Sequence, residues 1–305
     1  MLVPLRIYQV GIVILWLICL RQARNKSWVL FFNLVSVIVY TSLADFYEIR
    51  QNQYVYSPYV FALGRSALII NGLAWSTIFY AVIQNTDKLG LPLPIRPLVD
   101  ALTALTIGLS MEPIASICTG CPQPGAAFSG LGFWDWEVPG LWFHVPLEAF
   151  SGWFMLITVF TYILRLGQRR ISASQRDFRK ELQVAVLTIV IAFPIVLVLA
   201  ISYQWLIKVI PEPPVVAVML GIPLLIVLPS IRRSRRDNDF DPVVAGVPAF
   251  YHLYFLGGLL LTGIYRFEPG LIGLWLMMAF LSFLSFSWPY WDRLFAHHPV
   301  GVQPK

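Results

Sequence analysis

Leu182–Ile207 reads LQVAVLTIVIAFPIVLVLAISYQWLI, 26 residues without one charged side chain. At about 1.5 Å per residue, a helix of that length exceeds the roughly 30 Å hydrocarbon core of a bilayer. Apolar runs of about 17–25 residues, the length of a transmembrane helix, recur on both sides of it. The whole chain is 58% hydrophobic and 12% charged, with a mean hydropathy of +0.70. The runs are continuous rather than alternating, which excludes a β-barrel. The expected fold is an all-α, polytopic transmembrane helical bundle.

About nine spans are expected, with eight as the alternative count. They are placed at Leu5–Leu20, Trp28–Phe46, Tyr59–Val82, Pro97–Ile117, Val145–Leu164, Leu182–Ile207, Pro213–Ile231, Val247–Tyr265 and Gly270–Trp288. The first run follows Arg6 but lacks a small-residue cleavage pattern and ends in Arg21, Arg24 and Lys26, so it reads as a retained helix. One membrane domain over residues 1–305 is expected, closing in a short cytoplasmic tail at 289–305. With the N-terminus outside, 17 basic residues fall on inner loops and ends against four outside. That bias favours N-out and C-in. The net charge of +6 is accounted for by this loop pattern and does not suggest nucleic acid. A bacterial or archaeal cytoplasmic membrane is the expected location, with lipid as the surrounding partner and protein partners left open.

Carboxylates stand out against this background. Glu48, Asp100, Glu112 and Glu148 lie in or beside apolar runs. An ionisable group at membrane depth is costly and faces a bundle interior or cavity. The proposed topology brings Asp45 and Glu48 to the outer end of the second span, with Arg65 in the outer part of the third. Glu112 closes the fourth and Glu148 opens the fifth. Asp100 lies near the inner end of the fourth, roughly 18 Å below Glu112 at about 1.5 Å per residue.

The outer segment Gly132–Phe154 concentrates Trp134, Trp136, Trp142 and Trp153 around Asp135, Glu137, His144 and Glu148. One reading is an interfacial aromatic belt. The other is a pocket for a long apolar ligand, whose aromatic faces stabilise a developing cation. Arg65 is either an ion-pair partner of Glu48 or Glu112 or an anion-binding group. Asp237, Asp239 and Asp241 follow four arginines and read as a solvated, self-neutralising loop. His252 reads as a packing histidine, and Gly257 and Gly258 as sites of close helix contact. Cys118 and Cys121 form a CxxC with no partner pair for zinc, so a local disulfide or two thiols are expected. Neither a cofactor nor a metal is expected. Mid-membrane lysine for retinal, histidine sets for di-iron or haem, and DxxxD motifs for prenyl transfer are all missing.

Over residues 45–164 the chain resembles the integral-membrane carotenoid biosynthesis proteins that include carotenoid 1,2-hydratases. The resemblance rests on Glu48, Tyr54-x-Tyr56, Leu73-Ala74-Trp75, Asp100 and Glu112-Pro113. It continues through Gly132-Phe133-Trp134-Asp135-Trp136 and Pro139-Gly140. It ends in Trp142-Phe143-His144-Val145-Pro146 and Phe150-x-Gly152-Trp153. The family pattern usually has Asp-Pro at Glu112-Pro113, glycine at His144 and asparagine at Glu148. The resemblance implies cofactor-free hydration of a terminal double bond in a hydrophobic isoprenoid or carotenoid. It implies Glu48 and Glu112 as acid and base, with Asp100 and Glu148 next. Trp75, Trp134 and Trp142 would shield the cation, and Arg65, Asp135, His144 and Trp153 would complete the binding site. Cyclisation through the same cation, and isoprenoid binding or transport, are the alternatives.

Overall fold

The structure, a computed structural model, describes residues 2–57, 69–118, 128–138, 140–171, 177–232 and 240–290. Among them are nine α-helices. These are α1 (Leu2–Lys26), α2 (Trp28–Arg50), α3 (Ile69–Asp87), α4 (Arg96–Ala115) and α5 (Leu147–Arg170). They continue with α6 (Phe178–Ile207), α7 (Glu212–Arg232), α8 (Pro242–Thr262) and α9 (Gly270–Ser287). Among the described residues, all of these helices but α3 are long and apolar enough to cross a membrane. The chain is an all-α helical membrane bundle. Several helices run past the expected span ends: α5 reaches Arg170 rather than Leu164, and α1 reaches Lys26. The backbone ladder continues where hydropathy stops, because terminal arginines and lysines can keep their charges in water. Caps fix other ends. The Ser27 hydroxyl accepts from Leu30 N, and the Asp177 carboxylate accepts from Lys180 N, satisfying donors a helix start leaves open.

The described part of α3 is polar for a membrane helix because it is enclosed. It packs against α1, α2, α4 and α8, so its polar side chains meet protein instead of lipid. Ser76 Oγ donates to Leu34 O at 2.8 Å, and the Tyr251 hydroxyl donates to Ala74 O at 2.9 Å. Gly72 permits the approach of α2: a Cβ there would lie 3.0 Å from Ile38 Cγ2. By contrast α6, α7 and α9 expose apolar flanks such as Val198, Leu225 and Phe283, as lipid-facing surfaces do. Contacts across the bundle follow the alternation of helix direction. Lys26 meets Asp241 at 2.6 Å and Lys88 meets Tyr290 at 2.6 Å at one end, while Tyr254 donates to Pro4 O at 2.6 Å at the other.

One element was not foreseen. A four-stranded sheet covers the end of the bundle read as outer, built from β1 (Tyr54–Tyr56), β2 (Ser116–Cys118), β3 (Phe128–Ser129) and β4 (Trp134–Trp136). The strand order is β1-β4-β2-β3, with β4 antiparallel to β1 and parallel to β2. Tyr54 pairs with Trp136 and Tyr56 with Trp134. Strands this short carry too weak a period-2 pattern to be seen against long helices.

Candidate functional site

Side chains alternate across a strand, so Tyr54, Tyr56, Trp134 and Trp136 share one face of the sheet. That face roofs a cavity of about 80 Å³. Tyr54 and Trp136 pack edge to face at 5.1 Å, and Tyr56 meets Trp134 at 6.1 Å. Below the roof, Trp75 of α3 and Trp153 of α5 pack with ring centroids 4.0 Å apart. Trp153 reaches this position only because residue 108 is glycine: a Cβ there would lie 2.3 Å from Trp153 Cζ3. The remaining wall comes from α2 and from Phe193, Val196 and Leu197 of α6.

Glu48 and Glu112 both line this cavity. Glu48 ends α2, and the neighbouring position on α5 is Gly152, whose absent side chain leaves space beside Glu48 Oε1. Glu112 is buried in the last turn of α4. The Trp134 indole N–H donates to its carboxyl group, and Oε2 has no hydrogen-bond partner among the described residues.

A second cavity, of about 270 Å³, adjoins the first and shares Glu48, Trp136 and Gly152 with it. Its own walls include Glu148, Gln53, Gln204 and Lys208, so it is the more polar of the two. Gln204 Nε2 donates to Glu148 Oε2 at 2.6 Å. Glu48 therefore borders both spaces, Glu112 only the enclosed aromatic one and Glu148 only the polar one.

The other residues singled out in the sequence lie elsewhere. Asp100 is fully buried at the opposite end of α4, where Arg165 of α5 forms an ion pair with it. Arg165 also bridges to Asp87 at 3.1 Å. Asp100 is thus a structural partner, not a member of the cavity, and Arg165 is a buried bundle residue instead of a loop charge. Asp135 lies between Trp134 and Trp136 on β4, so alternation turns it to the other face of the sheet. Trp142 donates from Nε1 to Leu109 O at 3.4 Å and packs on Phe150, outside both cavities. His144 faces the α8–α9 connection, with Nε2 3.5 Å from Glu268 Oε1. Its φ of +67° lies in the left-handed region, which favours the glycine usual in the resembled family. Arg65, Cys121, Asp237 and Asp239 lie outside the described residues, as does the side chain of Cys118. Asp241 is no loop charge: it caps α8 and holds Lys26 and Gln22. His252 is buried, but its Nε2 has no partner among the described residues. Gly258 serves contact with Leu131, just before the outer segment, and Gly257 faces open space.

Among the cavity residues that sequence reasoning left out of the site are Asp45, Tyr54, Tyr56 and Asn71. Asp45 accepts from the Tyr54 hydroxyl at 2.8 Å and from Asn71 Nδ2 at 2.7 Å. Tyr54 also hydrogen-bonds Glu48 and Tyr56. Burial, and then the Asp45 carboxylate, pushes the Tyr54 phenol well above its ordinary range, so it stays a proton donor. The signal was present in the spacing. Asp45 and Glu48 are i and i+3 on one helix and share a face.

The family model for carotenoid biosynthesis proteins matches residues 121–223. The matched segment contains β3, β4, α5, α6 and the first half of α7, so the likeness extends beyond Leu164, where the resemblance read from the residues ends. It includes Trp134, Glu148 and Trp153; Glu48 and Glu112 lie outside it. No curated protein and no solved structure matches the chain. The chain is similar to carotenoid biosynthesis proteins over about a third of its length.

Proposed function

We propose, from that similarity and from the cavity, that this membrane protein modifies an isoprenoid, a carotenoid first of all, by adding water to a terminal double bond. One observation carries the reading. Two carboxyl groups share an aromatic-roofed cavity but differ in what else they reach. Glu112 sees only the aromatic compartment, and Glu48 also borders the polar one.

The roles follow from that asymmetry. Glu112, carrying a proton, gives it to the less substituted carbon of a trisubstituted double bond. The π pair becomes the new C–H bond and the other carbon becomes a tertiary cation. Trp75, Trp134 and Trp153 present ring faces and edges around the space where the cation forms. A desolvated cation over an aromatic face gains about 2 kcal/mol. Water from the polar compartment attacks the cation, and Glu48 takes the proton it sheds. The sum is one water added, with no net oxidation or reduction. Glu112 regains its proton from Glu48 through solvent. Tyr54 and Asn71, held by Asp45, position the Glu48 side of the site. General acid–base assistance of this kind is worth roughly 10²–10⁴-fold. A cavity of about 80 Å³ takes an end group only. The rest of a long substrate would leave past Phe193 and Leu197 of α6 toward lipid.

The test is turnover of an acyclic carotenoid in heavy-oxygen water. The product hydroxyl should carry the label, and both Glu48→Gln and Glu112→Gln should abolish it while the chain still inserts. An unlabelled product would transfer the assignment to cyclisation through the same cation. An unaltered pool of isoprenoids would transfer it to binding or transport.

A further inference from the structure

A third cavity, of about 380 Å³, opens at the opposite end of the bundle from the aromatic roof. Its volume is within the usual range of small-molecule sites, about 300–1,000 Å³. The reaction proposed above makes no use of it. Its walls carry three guanidinium groups: Arg96 at the start of α4, and Arg165 and Arg169 near the end of α5. The first turn of α2, at Ser27, Val29 and Leu30, forms another side. Asn33 and Gln168 add amide groups, joined by a hydrogen bond of 3.5 Å.

Charge decides what such a cavity can hold. Two carboxylates face the three arginines. Asp100 is taken up by Arg165, and Asp87 is shared between Arg96 at 3.3 Å and Arg165 at 3.1 Å. Arg169 completes the wall and is exposed. One positive charge is therefore left over. The dipole of the α2 start adds to it. Guanidinium groups bind phosphate oxygens through paired N–H donors. The cavity also lies among span ends rich in basic residues, at the level where headgroups sit.

We infer that this cavity binds a phosphate group in a molecule that carries net negative charge, with Arg169 and Arg96 as the contacting cations and Arg165 fixed by Asp100 as the support. A single surplus charge matches one phosphate group better than a diphosphate, which would leave negative charge uncompensated. An anionic phospholipid headgroup and a free phosphate share this chemistry.

The experiment uses the full chain in a neutral detergent, with thermal stability and direct titration as readouts. The probes are dihexanoyl phosphatidylglycerol, dihexanoyl phosphatidylcholine and inorganic phosphate. Saturable binding of phosphatidylglycerol, weakened about tenfold or more in Arg169→Gln, is the expected result, because a charge-assisted hydrogen bond is worth about 1.5–3 kcal/mol. Arg170→Gln, at a residue that lines a separate cavity between α5 and α6 and not this one, should bind as the parent does. If Arg96→Gln lowers stability through its bond to Leu91 O, the exposed Arg169 variant still decides the case. Binding of phosphatidylglycerol alone assigns the site to a lipid headgroup, and equal binding of inorganic phosphate assigns it to a soluble ligand. Equal affinity for phosphatidylcholine, or binding that Arg169→Gln leaves intact, would overturn the inference. None of these outcomes depends on carotenoid turnover.

Discussion

Gly108→Ala should disable the aromatic cavity through Trp153. A Cβ at residue 108 would lie 2.3 Å from Trp153 Cζ3, 2.7 Å from Cε3 and 2.8 Å from Cη2. Carbon atoms rest about 3.5–4.0 Å apart, so the ring must withdraw by roughly 1.2 Å or more. The clashing atoms belong to a rigid indole that is itself packed against Trp75 in a tilted pair, with ring centroids 4.0 Å apart, so no flexible end can swing aside. Overpacking of this type costs about 1–3 kcal/mol, and loss of the aromatic pair adds about 0.5–1.5 kcal/mol. The expected total is about 1.5–4.5 kcal/mol, read as a lower unfolding midpoint of the detergent-solubilised chain. Turnover should fall along with stability, because Trp153 lines the space where the end group would bind. The double variant Gly108→Ala with Trp153→Leu supplies the control. Removing the ring removes the clash, so the two changes should be strongly non-additive in stability. Additive effects, or a Gly108→Ala protein as stable and active as the parent, would refute the account of how Trp153 is seated.

Other outcomes follow from the remaining sites. Asp45→Ala should leave insertion intact but lower the turnover rate, since it releases Tyr54 and Asn71; unchanged kinetics would remove it from the positioning scheme. Asp100→Asn should destabilise by about 3–5 kcal/mol, because it leaves Arg165 short of a partner, yet activity per folded molecule should be unchanged. Asp241 is held below the ordinary carboxylate range: its own burial opposes this but is outweighed by hydrogen bonds from Gln22 and Lys26. Its stabilising effect is thus complete above the unfolded value of about 3.9 and is lost as pH falls below it. Asp241→Asn should flatten that acid limb of the stability profile, and an identical limb in both proteins would contradict it. Finally, cysteine introduced at the exposed Leu141 should react with an impermeant reagent in sealed cells, as N-out requires; reaction only after permeabilisation would invert the topology.

The helices were legible because length and hydropathy decide them, and the basic loops set the order of their ends. Glu48, Glu112, Trp75 and Trp153 could be grouped in advance because alternation of direction brings their helix ends to one level. Asp135, Trp142 and His144 could not be placed the same way. They sit in an irregular segment where a three-residue strand and a turn set side-chain direction, and neither has a period that a sequence displays. Asp100 was placed at its true level, the inner end of α4, but its partner was not foreseen. A carboxylate in an apolar run marks a partner as well as a site, and the partner here, Arg165, is 65 residues away.

The roof sheet also has a consequence for biogenesis. β1 leaves the ribosome 80 residues before its partner β4, as Tyr54 and Trp134 are numbered. At about 5–20 residues per second that is a wait of roughly 4–16 s. For that interval β1 is a tyrosine-bearing strand with open backbone groups, lying at the membrane surface beside Asp45. Such an edge pairs readily with whatever strand is near. The nascent chain is therefore most exposed to error, and to a membrane chaperone or protease, between synthesis of α2 and arrival of Trp134.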